Sequence, residues 1–436
     1  MQAEYRHRRE QFMSKIGNGT AIVSSAPMAV MHNDVEYVYR QDSDFYYLTG
    51  FNEPNAVAVI APHHDEHKFI LFVQPKEREK EIWTGYRVGV DAAKAEYGAD
   101  EAYLISELDE KLPQYLEKGD KIYYHMGRDE KLNSKVITHW QRLLRSYGKR
   151  GTGPIAIEDP FLTLHPLRMI KSPAELDLMR EAAKIAAIAH NHARKFAKPG
   201  VKEYEIEAEI EYIFRKHGAM GVAYPSIVAT GSNACVLHYI ENNSELKDGD
   251  LLLIDAGCSV GYYNSDVTRT FPVNGKFTTE QKIIYELVLD AQMASIEQVK
   301  PGTTWKDFHH TSVQIITEGL VNLELLTGDV DTLIEEGKYK NFYMHGTGHW
   351  LGLDVHDVGI YMHGAETWYQ FQPGNIITVE PGIYISPDIE AAEGQPAIDD
   401  CWKGIGVRIE DDVLVTATGN EVLTAAVPKF VEDIEF

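Results

Sequence analysis

Between His345 and Asp357 the chain reads HGTGHWLGLDVHD, with three histidines, three glycines and two aspartates in one short run. His345 and His349 stand four apart, the spacing with which a helix aims two imidazoles at one zinc ion. The glycines argue against that helix, since each costs roughly 1 kcal/mol relative to alanine in a helix interior. A glycine-rich loop instead lets backbone approach a bound group closely, which suits a binding or catalytic loop. The plainer alternative is a set of structural histidines.

Carboxylates with matching chemistry lie on either side of that loop. In GDLLLIDAGCSVGYYNSDVTRTFPVNG, two β-rich runs flank Val260-Gly261 and predict a hairpin. A two-residue turn there sets Asp255 directly opposite Asp266, with Cβ atoms about 4.5–5.5 Å apart. Like charges so placed need cations, extra donors or a proton. A metal is the economical answer, and a register one residue different, with one aspartate in solvent, is the alternative. Downstream, Glu380 interrupts the apolar strand pattern GNIITVEPGIYI, and Glu410 follows Arg408 by two residues in GIGVRIEDDVLVT, on the same strand face. Four carboxylates and one imidazole suit manganese, with cobalt, iron or zinc as further choices, rather than a thiolate-preferring ion. Four negative charges match two dications, the composition of a two-metal hydrolytic centre with ions about 3.5–4 Å apart.

The elements that must position these groups fall into two parts. At 436 residues the chain exceeds one typical core. Up to about residue 168, runs such as TAIVSS, NAVAVIAP and HKFILFVQP alternate with helical patterns in VDAAKAEYG and SKVITHWQRLLRSYG, predicting an α/β domain. From Ser172 a new helix is announced by a cap, Pro173 in its first turn and Glu175 completing a capping box, and it is stopped at Pro199-Gly200. A second long helical pattern ends in the same Lys-Pro-Gly triplet about a hundred residues later, and each triplet precedes another helix, which suggests an internal repeat. No apolar run approaches the roughly 20 residues that span a bilayer. A formal charge of −24 disfavours nucleic acid and anionic membranes as partners. The charged start predicts a cytoplasmic protein. Cys235, Cys258 and Cys401 form no CxxC and read as small buried residues.

LLLIDAG…YNSDVTRTF, HGTGHWLGLDVHD, ITVEPGIYI and GVRIEDD occur in the order and spacing of the pita-bread metallopeptidases, and the chain most closely resembles their aminopeptidase P branch. YRQDSDFYYLTGFNEPNAVAVI resembles that family's amino-terminal domain. The resemblance implies an N-terminal α/β domain over 1–168 and an α+β pita-bread catalytic domain with a pseudo-repeat over 172–436. It implies one ion on Asp266, His349, Glu380 and Glu410 and a second on Asp255, Asp266 and Glu410, with Glu380 as proton shuttle. His345 and His356 match residues that contact substrate around the scissile bond and stabilise its oxyanion, and His238 in GSNACVLHY matches another substrate-facing histidine. Tyr384 and Arg408 resemble residues on the proline side of the site. The implied reaction is hydrolysis of an N-terminal Xaa-Pro peptide bond. The implied assembly is a homotetramer, or else a dimer, in which Asp34 of HNDVEYVYRQDSDF reaches a neighbour's cleft and Trp83 of EIWTGYR forms part of the cleft wall.

Prolidase, restricted to dipeptides, shares these motifs, as do relatives that hydrolyse organophosphate esters. A metal-free binding module of the same fold is the non-enzymatic alternative. His63, His64 and His67 in APHHDEHKF are expected in a solvated hairpin loop, and IEAAEGQPAIDD is expected to be a surface excursion.

Overall fold

The computed structural model describes residues 2–435, and the chain divides into one unit over 1–168 and another over 169–436. In the first unit, unbroken apolar runs become strands buried along their whole length, as Val57–Ile60 and Phe69–Val73 are. They form a six-stranded mixed sheet in the order Glu101–Leu104, Phe69–Val73, Val57–Ile60, Thr20–Ser24, Ile122–Tyr124, Ile157–Glu158. The helix Glu130–Arg150 is capped by Asp129, which accepts the Leu132 N–H, and stops at Gly151 in the left-handed region. Its Leu132, Val136 and Leu143 pack on the sheet's Ile22, Val59 and Phe72. The His63–His67 loop does join two antiparallel strands, but its histidines are half-buried rather than solvated. The rings of His64 and His67 stack on each other and lean on Tyr115.

The second unit is built twice from one backbone pattern. Its first helix, Pro173–Phe196, carries the capping box between Ser172 and Glu175. Lys198-Pro199-Gly200 then leads into the helix Glu203–Lys216, as Lys300-Pro301-Gly302 leads from Thr279–Gln298 into Trp305–Asn322. Gly200 and Gly302 take φ of 90° and 89°, where only glycine is unstrained. Each donates its N–H at 2.9 Å to a distant carbonyl, Leu246 and Phe371 respectively. Equivalent bridges, Lys202 to Glu245 and Thr304 to Gln370, follow. The strands Leu251–Asp255 and Ile376–Val379 come next at the same interval, so the repeat extends well beyond a shared tripeptide.

Leu251–Asp255 lies between Ile227–Thr230 and Thr268–Pro272, antiparallel to both. The hairpin turns one residue later than its composition suggested, at Gly261-Tyr262, with φ of 55° and 73°. This two-residue turn with both φ positive fits the twist of its strands. Asp255 consequently faces Thr268, not Asp266. Asp266 sits two residues before Thr268, a diagonal neighbour still within reach of Asp255. A second correction concerns Glu380 and Glu410. Glu380 lies in the break between Ile376–Val379 and Gly382–Ile385, and Glu410 in the break between Ile405–Arg408 and Asp411–Val415. The chain changes sheets at both, so Glu410 does not share a strand with Arg408.

Two apolar clusters back these breaks. One gathers Ile254, Val267, Ile284, Val288, Ile383 and Val407. The other holds Trp350 edge-on to Trp305 at 4.9 Å, with Phe371 and Ile377 beside them. Trp350 is fully buried, and its truncation to alanine is expected to cost about 3–5 kcal/mol. Cys258 is buried, whereas Cys235 is half-buried and Cys401 exposed, so the three do not share one environment. Among the described residues no helix is long and apolar enough to cross a membrane.

Candidate metal centre

The two breaks and the histidine loop converge within the second unit. Donor atoms of Asp266, His349 and Glu410 lie within 4.8 Å of one another. His349 reaches this point because the loop lies flat on the Ile376–Val379 strand. A Cβ on Gly348 would fall 1.9 Å from the Thr378 carbonyl oxygen, so that position admits only glycine. The His349 N–H donates to the Thr378 hydroxyl at 3.0 Å. Its Nδ1 faces the Trp350 carbonyl at 3.0 Å, which leaves Nε2 toward Asp266 Oδ2 at 3.4 Å and Glu380 Oε1 at 3.5 Å.

Asp255 and Glu380 flank the triad without joining it. The Tyr224 hydroxyl lies 2.6 Å from Asp255 Oδ1 and also within reach of Asp266 Oδ1, so one phenolic proton ties the two carboxylates together. Arg408 Nη2 holds Asp255 Oδ2 at 2.6 Å. The same guanidinium reaches the Tyr384 hydroxyl at 3.1 Å and the Thr268 hydroxyl at 3.1 Å, and Thr268 donates to Glu410 Oε2 at 2.6 Å. Thr378 donates to Glu380 Oε1 at 3.3 Å. Nothing in the spacing of Tyr224, Thr268 or Thr378 marked them in the sequence. Their contribution is one hydroxyl each, aimed by strand register for Thr268 and Thr378 and by the bend after Gly221–Val222 for Tyr224.

A second hydrogen-bonded chain sets the state of His345. Arg408 can only donate to Tyr384, so the Tyr384 hydroxyl proton points to His345 Nε2, 2.8 Å away. His345 Nδ1 then donates to the Gly346 carbonyl at 2.8 Å. This assignment follows from the network and makes the imidazole neutral. Burial, with Arg408 adding to it, depresses His345 to about 4.

Four carboxylates share this buried space, and their electrostatics diverge. Burial, with Asp266, Glu380 and Asp255 adding to it, drives Glu410 well above the carboxylate range. Burial also raises Glu380, to about 7, against the pull of His349 and Arg408. Asp255 is raised by burial despite Arg408. Burial alone would raise Asp266 as well, but the hydrogen bond and charge of His349 hold it below its ordinary value. His349 is pushed down by burial, yet Asp266 and Glu380 outweigh that and carry it to about 9. So many acidic oxygens cannot all be ionised here without added positive charge, and the donor set of carboxylates and one imidazole fits divalent cations.

The remaining histidines surround the cluster. The His356 ring stands edge-on to His349 at 4.4 Å and is exposed. His238 is exposed in the segment after Gly231–Cys235, near enough to His345 and His356 to act on both electrostatically. Tyr384 and Arg408 are buried. Asp34, exposed in the turn after Val30–His32, and Trp83, 87 % exposed on Arg78–Thr84, belong to the first unit and are not members of this cluster.

Comparison with known proteins identifies the family. Residues 177–417 match the model of metallopeptidase family M24. The chain belongs to that family. Residues 5–123 match the aminopeptidase P N-terminal domain. Two relatives named Xaa-Pro aminopeptidase, from Haemophilus influenzae and Escherichia coli K12, are 46 % and 43 % identical, each aligned over 99 % of this chain and 96 % of the relative. The solved structure of a Pseudomonas aeruginosa aminopeptidase is 48 % identical, with a TM-score of 0.94 over 100 % of this chain and 97 % of that one.

Proposed function

We propose that this chain hydrolyses the peptide bond between an N-terminal residue and a proline in second position, releasing the first residue. The observation that carries the reading is the meeting of Asp266, His349 and Glu410, flanked by Asp255 and Glu380, in a chain aligned end to end with proteins of that activity. Two divalent ions, manganese foremost and cobalt, iron or zinc as alternatives, would be held by Asp266, His349, Glu380 and Glu410 and by Asp255, Asp266 and Glu410. When bound, they supply Lewis acidity and bring the pKa of water from 15.7 towards about 7.

The chain's own residues do the rest. Glu380 takes the proton from the attacking water and passes it to the proline nitrogen as the C–N bond breaks. His345, set in place by the Tyr384 hydroxyl and the Gly346 carbonyl, and the exposed His356 contact substrate around the scissile bond and stabilise the developing oxyanion, and the exposed His238 is a further substrate-facing histidine. Tyr384 and Arg408 form the back of the wall that receives the proline ring. A tertiary amide nitrogen offers no N–H to an extended-backbone protease, so recognition rests on ring shape.

Val30, Met31, Val35, Tyr37 and Val38, close to Asp34 in the chain, and Ile82 and Tyr86, close to Trp83, are exposed apolar residues. Apolar surface of that kind supports a homotetramer, or a dimer, in which Asp34 meets a neighbour's substrate. The reading is tested by chelation. Stripping the ions abolishes release of the first residue from an Xaa-Pro-Yaa peptide and manganese restores it; turnover that survives complete metal removal overturns it.

A further inference from the structure

Glu203, the first residue of the helix Glu203–Lys216, is completely buried, and among the described residues it forms no ion pair. A carboxylate so placed is costly unless its oxygens are occupied. Both are. Oε1 accepts the Thr230 N–H at 2.7 Å and the Asn233 side-chain amide at 3.0 Å. Oε2 accepts the Ser244 N–H at 2.8 Å and the Tyr239 hydroxyl at 2.9 Å. The helix N-terminus adds favourable positive potential.

All four donors come from residues 230–244, the segment that carries His238 immediately before Tyr239. Beyond the short turn Gly231–Cys235 this segment has almost no regular structure of its own. Asn242, buried with φ of 46°, ties its far end to Val228 and Ser226. The second half of the unit repeats the device with different chemistry. His309 and Ser312 of Trp305–Asn322 grip the buried hydroxyl of Thr347, between His345 and His349. In both halves the second helix therefore holds the loop that bears histidines.

We infer that Glu203 is a positioning residue that fixes His238 for substrate by clamping residues 230–244 from beneath. The inference rests on the reading of His238 as substrate-facing. Glutamine at 203 keeps the shape but turns an amide N–H2 against two of the four donors, so the segment loosens.

A double-mutant cycle on the manganese-loaded full chain tests it, with Glu203→Gln, His238→Ala and the pair compared in kcat, KM, metal content and thermal melting. Glu203→Gln should lower kcat/KM about tenfold, the effect of roughly 1.4 kcal/mol, with both ions retained. In the His238→Ala background the same change should cost less than about twofold. Wild-type kcat/KM in Glu203→Gln, or an equal loss in both backgrounds, overturns the clamp. Wild-type activity in His238→Ala overturns instead the reading of His238 on which the clamp depends. If Glu203→Gln does not fold, Tyr239→Phe, which deletes one of the four hydrogen bonds, is carried through the same cycle with the same criteria.

Discussion

Asp255 and Glu380 occupy corresponding places in the two halves of the second unit, each at the same interval after the first residue of its strand, Leu251 or Ile376. The backbone is repeated but the partners are not. Asp255 is paired with Arg408, whereas Glu380 stands beside His349 and His345. The asymmetry gives Asp255 a fixed guanidinium partner and Glu380 two imidazoles, and Glu380, raised by burial to about 7 in the metal-free protein, can carry a proton near neutrality.

That division of labour separates two variants. Asp266→Asn removes the carboxylate shared by the proposed ion sites, so it should lose one or both ions and nearly all turnover while melting cooperatively. Glu380→Gln should keep at least one ion yet lose turnover by at least about a hundredfold, the scale of general acid–base catalysis. Elemental analysis beside kinetics reads both. Unchanged metal and activity in Asp266→Asn, or wild-type turnover in Glu380→Gln, would defeat the respective assignment.

The metal-free protein should weaken as the solution becomes alkaline. Folded His349 keeps its proton to about 9, against about 6.5 for an unfolded histidine. The folded state thus binds more protons across that window, and the stability is present below it and lost as pH rises through it. Chelated protein should therefore melt lower at about pH 9 than at about pH 7, and manganese added near neutrality should release protons. A flat melting profile with no proton release would contradict the His349 ion pair.

The legibility of this molecule in its sequence varied with the kind of signal. Helix starts and stops were plain, because the Ser172–Glu175 box and the Lys-Pro-Gly triplets act through local backbone chemistry. Four carboxylates and a histidine loop stood out by residue type. The hairpin register did not, because the turn uses Tyr262 at positive φ, a place where composition points to glycine, asparagine or aspartate. The sheet changes at Glu380 and Glu410 were hidden inside apolar patterns that read as single strands. Tyr224, Thr268 and Glu203 act through contacts with residues distant in the chain, and no local pattern announces them.

Assembly has its own test. Asp34 is exposed among apolar neighbours in the first unit, and its proposed role needs a second copy. Sedimentation should give a homotetramer, with a dimer as the smaller alternative. Asp34→Ala should lose peptide turnover while keeping its ions. A fully active monomer at assay concentration would refute the role.

The most direct test is a side-by-side hydrolysis by the manganese-loaded protein of an Xaa-Pro-Yaa tripeptide, its Xaa-Ala-Yaa counterpart and the Xaa-Pro dipeptide. The account predicts release of the first residue from the proline tripeptide and from longer chains, with no comparable cleavage of the alanine peptide. Equal cleavage of Xaa-Ala-Yaa would contradict recognition of the proline ring, and cleavage confined to the dipeptide would make the activity that of a prolidase.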